Sequence, residues 1–331
     1  MTLKLSERIS ALCLLSGGLD SQLSVCLLKD QGIEVHGVVF DSPFSDIEAA
    51  VSAAEQMDIT LHVVNFSADI MSLLDKPRHG FGSCMNPCID CHALMLKRAG
   101  EMIEEMGIHF LCTGEVLNER PMSQNRNSLK VVAEESGYED LILRPLSACL
   151  LSETKPERKG WVDRSKLLSI EGRSRKTQLQ LAKHYGLTNF PSPAGGCRLT
   201  EPNFCRRLKD LKEHEGLDGV RSVYLLRFGR HFRLGMQLKM IVGRNEHDNA
   251  TLEGNAELYD LIFKVEDFPG PTGLLPFTAS EEEILLAGAI CARYSDCSSG
   301  QPVTLKIRSS RGARHINVMP VSDETADDLR I

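Results

Sequence analysis

The sequence predicts an α/β protein with a parallel sheet, followed by a smaller α+β module. Over roughly the first 200 residues, short apolar runs typical of buried strands alternate with stretches of helical spacing. This alternation is typical of right-handed β-α-β units. Beyond that point strands and helices no longer alternate regularly. A chain of 331 residues is long enough to build two hydrophobic cores.

The elements of the first module follow one another at short intervals. Strands are predicted at 11–15, 33–40, 59–66, 109–113 and 141–143, and helices at 22–29, 45–57, 68–74, 89–106, 122–136 and 175–185. Between 152 and 172 the pattern breaks into Pro, Gly and charged residues. A Pro- and Gly-rich loop at 188–202 then precedes the predicted boundary, which gives domains 1–204 and 205–331.

The second domain shows strand-like runs at 237–242, 261–265 and 303–307 and a helical run at 281–293. This order predicts an α+β module. The apolar run near the N-terminus is too short for a signal peptide or a membrane helix, so we expect a cytoplasmic protein without a membrane partner. In that compartment the eleven cysteines are expected to stay reduced.

The stretch Ser16-Gly17-Gly18-Leu19-Asp20-Ser21 follows the first strand and opens the first helix. Two glycines let the backbone approach an anion closely, and the free N–H groups of a helix N-terminus favour phosphate. Ser16 and Ser21 can add hydroxyl donors. The stretch lacks the Lys of the G-x-x-x-x-G-K-[ST] loop. For the bare Gly-Gly pair, an ordinary strand-to-helix turn remains an alternative.

Four cysteines are candidates for a metal or sulfur site. Cys84, Cys88 and Cys91 lie in a loop that leads into a helix, and Cys197 follows Gly195-Gly196. A C-x-x-C pair places two sulfurs close enough to chelate one group, and a helix N-terminus favours the thiolate. Structural zinc, a redox dithiol and an iron–sulfur site all remain open from the residues themselves.

The string SGGLDS resembles the pyrophosphate loop of the ATP-pyrophosphatase superfamily, whose members split ATP between the α and β phosphates. The resemblance implies binding of ATP with Mg²⁺ and a catalytic role for Asp20. The nucleotide site that it implies consists of the following residues: Ser16, Gly17, Gly18, Asp20, Ser21, Phe40, Thr113 and Gly114.

Two further motifs resemble the tRNA thiolases of this superfamily. The string NPCIDC is similar to the N-P-D-x-x-C element of 2-thiouridine synthases, with Cys88 at the position where those proteins often have Asp. The segments 113–124 and 143–146 are similar to the T-G-E-x-L-G-Q-x-x-S-Q and L-R-P-L elements of 4-thiouridine synthases. The resemblance implies catalytic and metal-ligating roles for Cys88, Cys91 and Cys197, which would hold a [4Fe-4S] cluster. The role of Cys84 stays open.

The second domain is similar to the RNA-binding domain of the NFACT family in its Gly243-Arg244-Asn245 element and in the 260–271 segment. The His of that second element is Lys264 here, so no role of that His is carried over. An ordinary α+β domain is the alternative. Although the chain has a net charge of −7, residues 155–183 carry nine Lys and Arg against three acids, and residues 220–245 carry six and none. Such runs favour a polyanion. The predicted RNA contacts are Arg173, Arg175, Lys176, Arg227, Arg230, Lys239 and Arg244.

Taken together, these features predict an ATP- and [4Fe-4S]-dependent tRNA sulfurtransferase that adenylates a uridine carbonyl and releases AMP and pyrophosphate. Sulfur would come from inorganic sulfide or from a cysteine-desulfurase-derived donor. One alternative is a related enzyme that inserts sulfur into, or amidates, a small metabolite. Another is an RNA-binding protein without catalysis. The second domain has the alternative roles of binding a sulfur donor or forming a homodimer.

Overall fold

The computed structural model describes residues 8–192, 197–297 and 300–331. The chain divides into two compact units, Met1–Glu201 and Pro202–Ile331. The first contains a parallel sheet flanked by helices, and the second contains an antiparallel sheet with helices. The predicted fold class is therefore confirmed. Gly195 and Gly196 of the predicted cysteine loop lie outside the described residues.

The sheet of the first unit has five parallel strands in the order β3-β2-β1-β4-β5. They are β1 (Ser10–Leu14), β2 (Glu34–Asp41), β3 (Leu61–Asn65), β4 (Phe110–Cys112) and β5 (Ile142–Leu143). Because the order reverses between β1 and β4, the loops that follow these two strands face each other at the carboxyl edge of the sheet. Ligands bind at such switch points in open α/β sheets.

Six helices of the first unit agree with the prediction except at their ends, and one short helix, α6 (Lys155–Arg158), lies in the stretch 152–172 where no helix was predicted. They are α1 (Leu19–Lys29), α2 (Glu48–Gln56), α3 (Ser67–Asp75), α4 (Cys88–Met106), α5 (Arg126–Ser136), α6 (Lys155–Arg158) and α7 (Lys176–His184). The helix predicted from residue 122 begins at Arg126, because the side chain of Asn125 caps it by accepting a hydrogen bond from the Ser128 amide at 2.9 Å.

The core of the first unit forms around β1, whose central residues Ala11, Leu12 and Cys13 are completely buried. Strands covered on both faces are continuously apolar, which is why the run after Ser10 does not alternate. The apolar face of α1 packs on this strand through Leu19 and Leu23. The start of α1, where the candidate phosphate loop lies, is therefore fixed to the centre of the sheet.

The second unit contains a six-stranded antiparallel sheet in the order β11-β10-β8-β9-β7-β6. The strands are β6 (Arg230–Gly235), β7 (Leu238–Val242), β8 (Asp260–Val265), β9 (Thr272–Pro276), β10 (Val303–Ser309) and β11 (Gly312–Val318). The helices are α8 (Pro202–His214), α9 (Val220–Leu225), α10 (Glu246–Gly254), α11 (Glu281–Arg293) and α12 (Asp323–Asp328). Three of these strands and α11 agree with the prediction.

The second core lies between this sheet and α11. Phe232 and Phe263 from the strands and Ile290 from the helix are completely buried there. A search of the described residues finds no helix with the length and apolar character that crossing a membrane requires.

Candidate nucleotide and cysteine site

The phosphate loop requires glycine at its first Gly position. Gly17 has φ +75°, and a Cβ there would lie 2.3 Å from the carbonyl atoms of Ala49 in α2. Gly18 is the N-cap of α1, and no side chain caps the helix. The amide hydrogens of the first turn consequently face the loop without a capping side chain, which is the arrangement that binds anions.

The hydroxyls of the loop take part in its geometry. Ser21 donates to the carbonyl of Gly18 at 2.8 Å, and the Gly18 amide points at the hydroxyl of Ser16 at 3.4 Å. Ser16 is exposed, whereas Ser21 is buried. The Ser21 hydroxyl is therefore used within the loop, and Ser16 is the more accessible donor of the two.

The turn after β4 lies directly against this loop. A Cβ at Gly114 would come within 2.5 Å of the Ser21 amide nitrogen, so only glycine allows the two segments to approach so closely. Thr113 is buried, and its hydroxyl donates to Glu115 at 3.2 Å. Thr113 and Gly114 thus lie against the loop, as the resemblance implied, but the Thr113 hydroxyl is hydrogen-bonded to Glu115.

Asp20 lies at the centre of a group of charged side chains. Burial raises its pKa, and the nearby Arg175 and Arg120 oppose that rise. Burial also raises the pKa of Glu119, and Asp20 raises it further. Two carboxylates that disfavour each other's charge can share a divalent cation, since oxygen ligands and negative charge are what Mg²⁺ prefers. The sequence did not single out Glu119.

Several buried polar atoms near the loop form no hydrogen bond of good geometry in the part of the chain that the structure describes. They include Oδ1 of Asp20 and Oε1 of Gln22, although Gln178 lies close enough to Asp20 to lower its pKa. Gln22 is held in place because its amide nitrogen donates to the carbonyls of Gly17 at 2.8 Å and Asn189 at 3.0 Å. Buried polar atoms are normally satisfied, so these oxygens fit a site that binds a cation or water-bridged nucleotide.

Arg175 was predicted to contact RNA, but it lies beside the loop instead. Its positive charge opposes the rise that burial causes in the pKa of Asp20 and of Glu119, and its Nε is buried. Its neighbours Arg173 and Lys176 are exposed. Phe40 was predicted to contact the nucleotide, yet its ring is 6% exposed and packs edge-to-face on Phe66 at 5.2 Å. This burial argues against a side-chain contact of Phe40 with ATP.

The three predicted cysteine ligands come together although Cys197 is far from the others in sequence. Cys88 and Cys91 lie in the first turn of α4. Burial raises the pKa of Cys91, and Cys197 and Cys88 raise it further. Burial likewise raises the pKa of Cys197 to about 11, with Cys88 adding to the rise. The three thiols are therefore close enough for the charge of one to oppose ionisation of another.

The segments that carry these cysteines are anchored by named contacts. Asp90 accepts hydrogen bonds from the amides of Arg78 at 2.8 Å and His79 at 3.1 Å, which fixes the loop ahead of α4. The Arg198 amide donates to Phe44 at 3.0 Å, and its guanidinium pairs with Asp46 at 2.8 Å. Cys197 is thereby held in position from the loop after β2.

The side chain of Asn86 forms hydrogen bonds to both Cys84 and Cys88. Its Nδ2 donates to the sulfur of Cys88 at 3.1 Å, and its Oδ1 accepts from the Cys84 amide at 3.1 Å. The Cys84 thiol points toward the Thr200 carbonyl at 3.8 Å. Cys84 thus borders the three-thiol site without a contact that assigns it a ligand role. All eleven cysteines carry free thiols.

The arrangement and chemistry of the three thiols indicate which metal group they can hold. Among the described residues, no three His, Cys, Asp or Glu side chains are arranged to hold a single metal ion. A ready-made zinc site is therefore not found in this part of the chain. A [4Fe-4S] cluster is held by thiolates on separate iron atoms, which stand farther apart than ligands of one ion. The three soft thiols Cys88, Cys91 and Cys197 fit that group.

Arg120 links the two halves of the site. Burial raises the pKa of Asp20 in the phosphate loop and that of the Cys197 thiol, and the positive charge of Arg120 opposes part of both rises. Its backbone is fixed by Gln124, whose amide donates to the Arg120 carbonyl at 2.8 Å and whose side chain accepts from the Arg120 amide at 3.2 Å. An exposed guanidinium between loop and thiols can contact a phosphate or a developing negative charge.

The T-G-E and L-R-P-L motifs meet in the interior. Glu115 accepts a hydrogen bond from Arg144 at 2.8 Å and pairs with His92 at 3.1 Å. Burial opposes ionisation of Glu115, but Arg144 and His92 outweigh it and lower its pKa to about 2. Because His92 follows Cys91, this ion pair fixes the first turn of α4 relative to β4 and β5.

The predicted RNA contacts of the second unit differ in accessibility. Lys239 is 7% exposed, and its ammonium faces Glu215 at 3.7 Å, which argues against a phosphate contact. Arg244 is exposed and pairs with Asp248 at 2.6 Å. Arg227 and Arg230 are partly exposed. Asn245, from the same motif, caps α10 by accepting from the Asp248 amide at 2.9 Å.

Two family descriptions match the two units separately. Residues 7–152 match the family described as thiamine biosynthesis protein (ThiI), and residues 229–330 match the NFACT protein RNA binding domain. Both predicted resemblances are confirmed. The ThiI-like region contains the phosphate loop, the C-x-x-C pair and the Glu115–Arg144 motif. Cys197 and Arg175 lie beyond it.

Curated relatives of the ThiI-like unit are tRNA-modifying enzymes. The tRNA-specific 2-thiouridylase MnmA 2 of Clostridium botulinum is 31% identical over 146 residues, 40% of this chain and 40% of that protein. The tRNA-specific 2-thiouridylase MnmA of Geobacter metallireducens is 35% identical over 140 residues, 34% of this chain and 36% of that protein. The chain thus matches less than half the length of these two relatives.

A solved 4-thiouridine synthetase–RNA complex with bound ATP is 20% identical, with a TM-score of 0.33, covering 54% of this chain and 51% of that chain.

Proposed function

We propose that the protein is an ATP-dependent tRNA sulfurtransferase that forms AMP and pyrophosphate. The observation that carries the proposal is the meeting of the phosphate loop and three thiols within one unit, with Arg120 acting on both Asp20 and Cys197. Adenylation and sulfur delivery need those two sites side by side. The thiouridylase relatives and the NFACT match support tRNA as the substrate.

The phosphate loop would bind the phosphates of ATP through the amides of the first turn of α1. Asp20 and Glu119 would hold Mg²⁺, since Oδ1 of Asp20 is buried without a hydrogen bond of good geometry and Glu119 is close enough for its pKa to be raised by Asp20. Arg175 would neutralise charge on the pyrophosphate. These groups act by positioning ATP and by stabilising negative charge in the transition state.

In the first step, a uridine carbonyl oxygen attacks the α-phosphorus, the bond to pyrophosphate breaks, and the adjacent ring N–H gives its proton to water. In the second step, HS⁻ attacks the carbon of that carbonyl, and the carbon–oxygen bond breaks as AMP leaves with the oxygen, while the proton of HS⁻ returns to the ring nitrogen. Adenylation makes the carbonyl oxygen a good leaving group. Arg120 would stabilise the charge on the phosphate in both steps.

Cys88, Cys91 and Cys197 would hold a [4Fe-4S] cluster, which would supply an iron atom with an open position for sulfide. Asn86 donates a hydrogen bond to the Cys88 sulfur at 3.1 Å and would keep that ligand oriented. The sulfur donor would be inorganic sulfide or a cysteine-desulfurase product. We place the enzyme in the cytoplasm, where thiols stay reduced.

The test combines metal analysis with product analysis. Anaerobically purified protein should be brown and contain iron and acid-labile sulfide, and Cys197→Ala should lose both. Cys84→Ala is the matched control, since Cys84 borders the site without a ligand contact, and it should keep the colour. Colourless protein with stoichiometric zinc would refute the cluster.

Product analysis tests the reaction itself. With ATP, sulfide and tRNA, the protein should release AMP and pyrophosphate and produce a thionucleoside that mass spectrometry of digested tRNA detects. Cells lacking the protein should lack the same nucleoside. Formation of ADP would contradict the proposed ATP chemistry. An unchanged nucleoside profile would refute tRNA as the substrate and favour a small metabolite.

A further inference from the structure

The basic stretch 220–245 of the second unit does not act as one surface. Arg233 is 15% exposed and pairs with Asp210 and with Glu215 at 2.8 Å. Arg221 pairs with Asp260, which is buried. With Lys239 also buried, half of the six positive charges are committed to internal ion pairs. Buried pairs of this kind are costly to break, so these side chains are not free to exchange partners.

One of the remaining arginines lies with two arginines from later in the chain around one aromatic ring. The guanidinium of Arg230 lies 4.5 Å from the ring centroid of Tyr294. Those of Arg293 and Arg330 lie 5.9 Å from the same centroid, and Arg330 also donates to the Tyr294 hydroxyl. The ring thus collects three arginines that are up to 100 residues apart in sequence.

Two more arginines extend this group. Arg244 donates to the carbonyl of Arg227 at 3.3 Å. Arg227 in turn stacks on Tyr224, with 5.2 Å between guanidinium and ring centroid. Burial lowers the pKa of Arg230, and the positive charges of Arg330 and Arg244 lower it further. The guanidinium groups are therefore close enough to repel one another, and an anion between them would relieve that repulsion.

Two of the carboxylates that pair with these arginines are exposed to solvent, so an RNA phosphate can replace them. Arg293 pairs with Asp323 and Arg330 pairs with Asp327 at 3.4 Å, and these carboxylates are 79% and 69% exposed. Exposed ion pairs contribute little to stability, so a phosphate can take the place of such a carboxylate. Asp248, the partner of Arg244, is buried instead.

We propose that the cluster of Arg227, Arg230, Arg244, Arg293 and Arg330 beside Tyr224 and Tyr294 is the RNA-binding surface of this unit. The planar guanidinium groups match phosphate oxygens in pairs, and those stacked on the rings of Tyr224 and Tyr294 offer planar faces for unstacked bases. The surface therefore fits single-stranded segments of a folded RNA. This inference rests on the proposed function, because it assigns where that enzyme holds tRNA.

The test compares two double variants of the full chain that lose the same charge. Arg230→Gln with Arg330→Gln removes two arginines of the cluster, at the β6 edge of the sheet. Arg308→Gln with Arg314→Gln removes two exposed arginines on β10 and β11, at the opposite edge. Binding of fluorescently labelled tRNA is measured by anisotropy over a series of KCl concentrations, and thermal unfolding verifies the fold.

The cluster variant should bind tRNA roughly tenfold or more weakly near 0.1 M salt. Its plot of log affinity against log salt should flatten by about 1.4–1.8, since each lost phosphate contact removes about 0.7–0.9. The matched variant should keep the wild-type slope. Equal slopes in all three proteins, or equal losses in both variants, would overturn the assignment.

A second pair of variants keeps the test decisive if Arg230→Gln unfolds the unit. Arg293→Gln with Arg330→Gln removes side chains whose acidic partners are exposed, and it should also flatten the salt slope. Tyr294→Ala should weaken binding of a single-stranded RNA oligonucleotide by about tenfold or more. Unchanged binding in both would refute the cluster.

Two controls separate this inference from the proposed function. Wild-type protein that binds no tRNA would refute tRNA as the substrate, whereas wild-type binding that the cluster variant retains would refute the surface only. Binding of polyglutamate that equals or exceeds that of RNA would identify an acidic protein as the partner and overturn the inference.

Discussion

The carboxylate of Glu115 accepts a hydrogen bond from Nε of Arg144 at 2.8 Å, and both side chains are buried. This pair explains why the T-G-E and L-R-P-L motifs occur together: one supplies the anion and the other the cation of an internal ion pair. Its role is to fix the turn after β4, which lies against the phosphate loop, relative to the first turn of α4, which carries Cys88 and Cys91.

Glu115→Gln should lower the free energy of unfolding by about 3 kcal/mol, because it leaves the guanidinium of Arg144 buried without its charge partner. The matched control is Glu134→Gln, which breaks an exposed pair with Lys130 and should cost less than about 1 kcal/mol. Urea unfolding of the three proteins measures both values. Equal costs would show that the Glu115 pair contributes no more than a surface pair.

The same pair predicts a pH dependence of stability. The pKa of Glu115 is lowered to about 2 from the usual 4.5. Because the folded state binds the proton less readily than the unfolded state, the contribution is present above about pH 4.5 and is lost as the pH falls toward 2. The difference in unfolding free energy between wild type and Glu115→Gln should therefore shrink between pH 5 and pH 3. A constant difference would contradict an ionised Glu115.

Gly17→Ala should remove ATP binding and destabilise the first unit, because the new Cβ would collide with the backbone of Ala49. Gly172→Ala is the matched control: Gly172 also has a positive φ, +81°, but a Cβ there meets no atom within 4 Å. Strain at that φ costs about 1–2 kcal/mol. Fluorescent ATP-analogue binding and urea unfolding distinguish the two, and equal stability losses would refute the close approach.

Asp20→Asn should abolish release of pyrophosphate while the protein stays folded, since Asp20 has a buried oxygen without a hydrogen bond of good geometry. Glu119→Gln should raise the Mg²⁺ concentration needed for half-maximal release. Glu105→Gln, on the exposed surface of α4, is the control and should leave the Mg²⁺ dependence unchanged. A Glu119 variant with the wild-type Mg²⁺ requirement would remove Glu119 from the metal site.

Arg120→Gln should reduce the turnover of thiolation by about 10²-fold, the usual effect of losing one group that stabilises charge in the transition state. Its affinity for tRNA should change little. The control Arg126→Gln removes the same charge from the exposed start of α5. Single-turnover assays and tRNA binding measure the two effects. A loss of tRNA affinity with unchanged turnover would make Arg120 an RNA contact instead.

The sequence by itself determined the order of strands and helices and the place of the phosphate loop. These features depend on local pattern: apolar runs at strand spacing, a glycine pair and an uncapped helix start are visible within a few residues. The two resemblances also came from contiguous strings. The close approach of Gly114 to Ser21 did not, because it depends on the pairing of β1 with β4 in the sheet.

Only the tertiary structure decided which side chains are available. Lys239 was predicted to contact RNA, but its side chain is buried and pairs with Glu215. Arg175 was also predicted to contact RNA, but it lies beside Asp20. Arg330 joins Arg230 at Tyr294 from 100 residues away. The physical reason is that burial and ion pairing depend on partners from distant segments, and the free energy of a charge depends on those partners rather than on its neighbours in sequence.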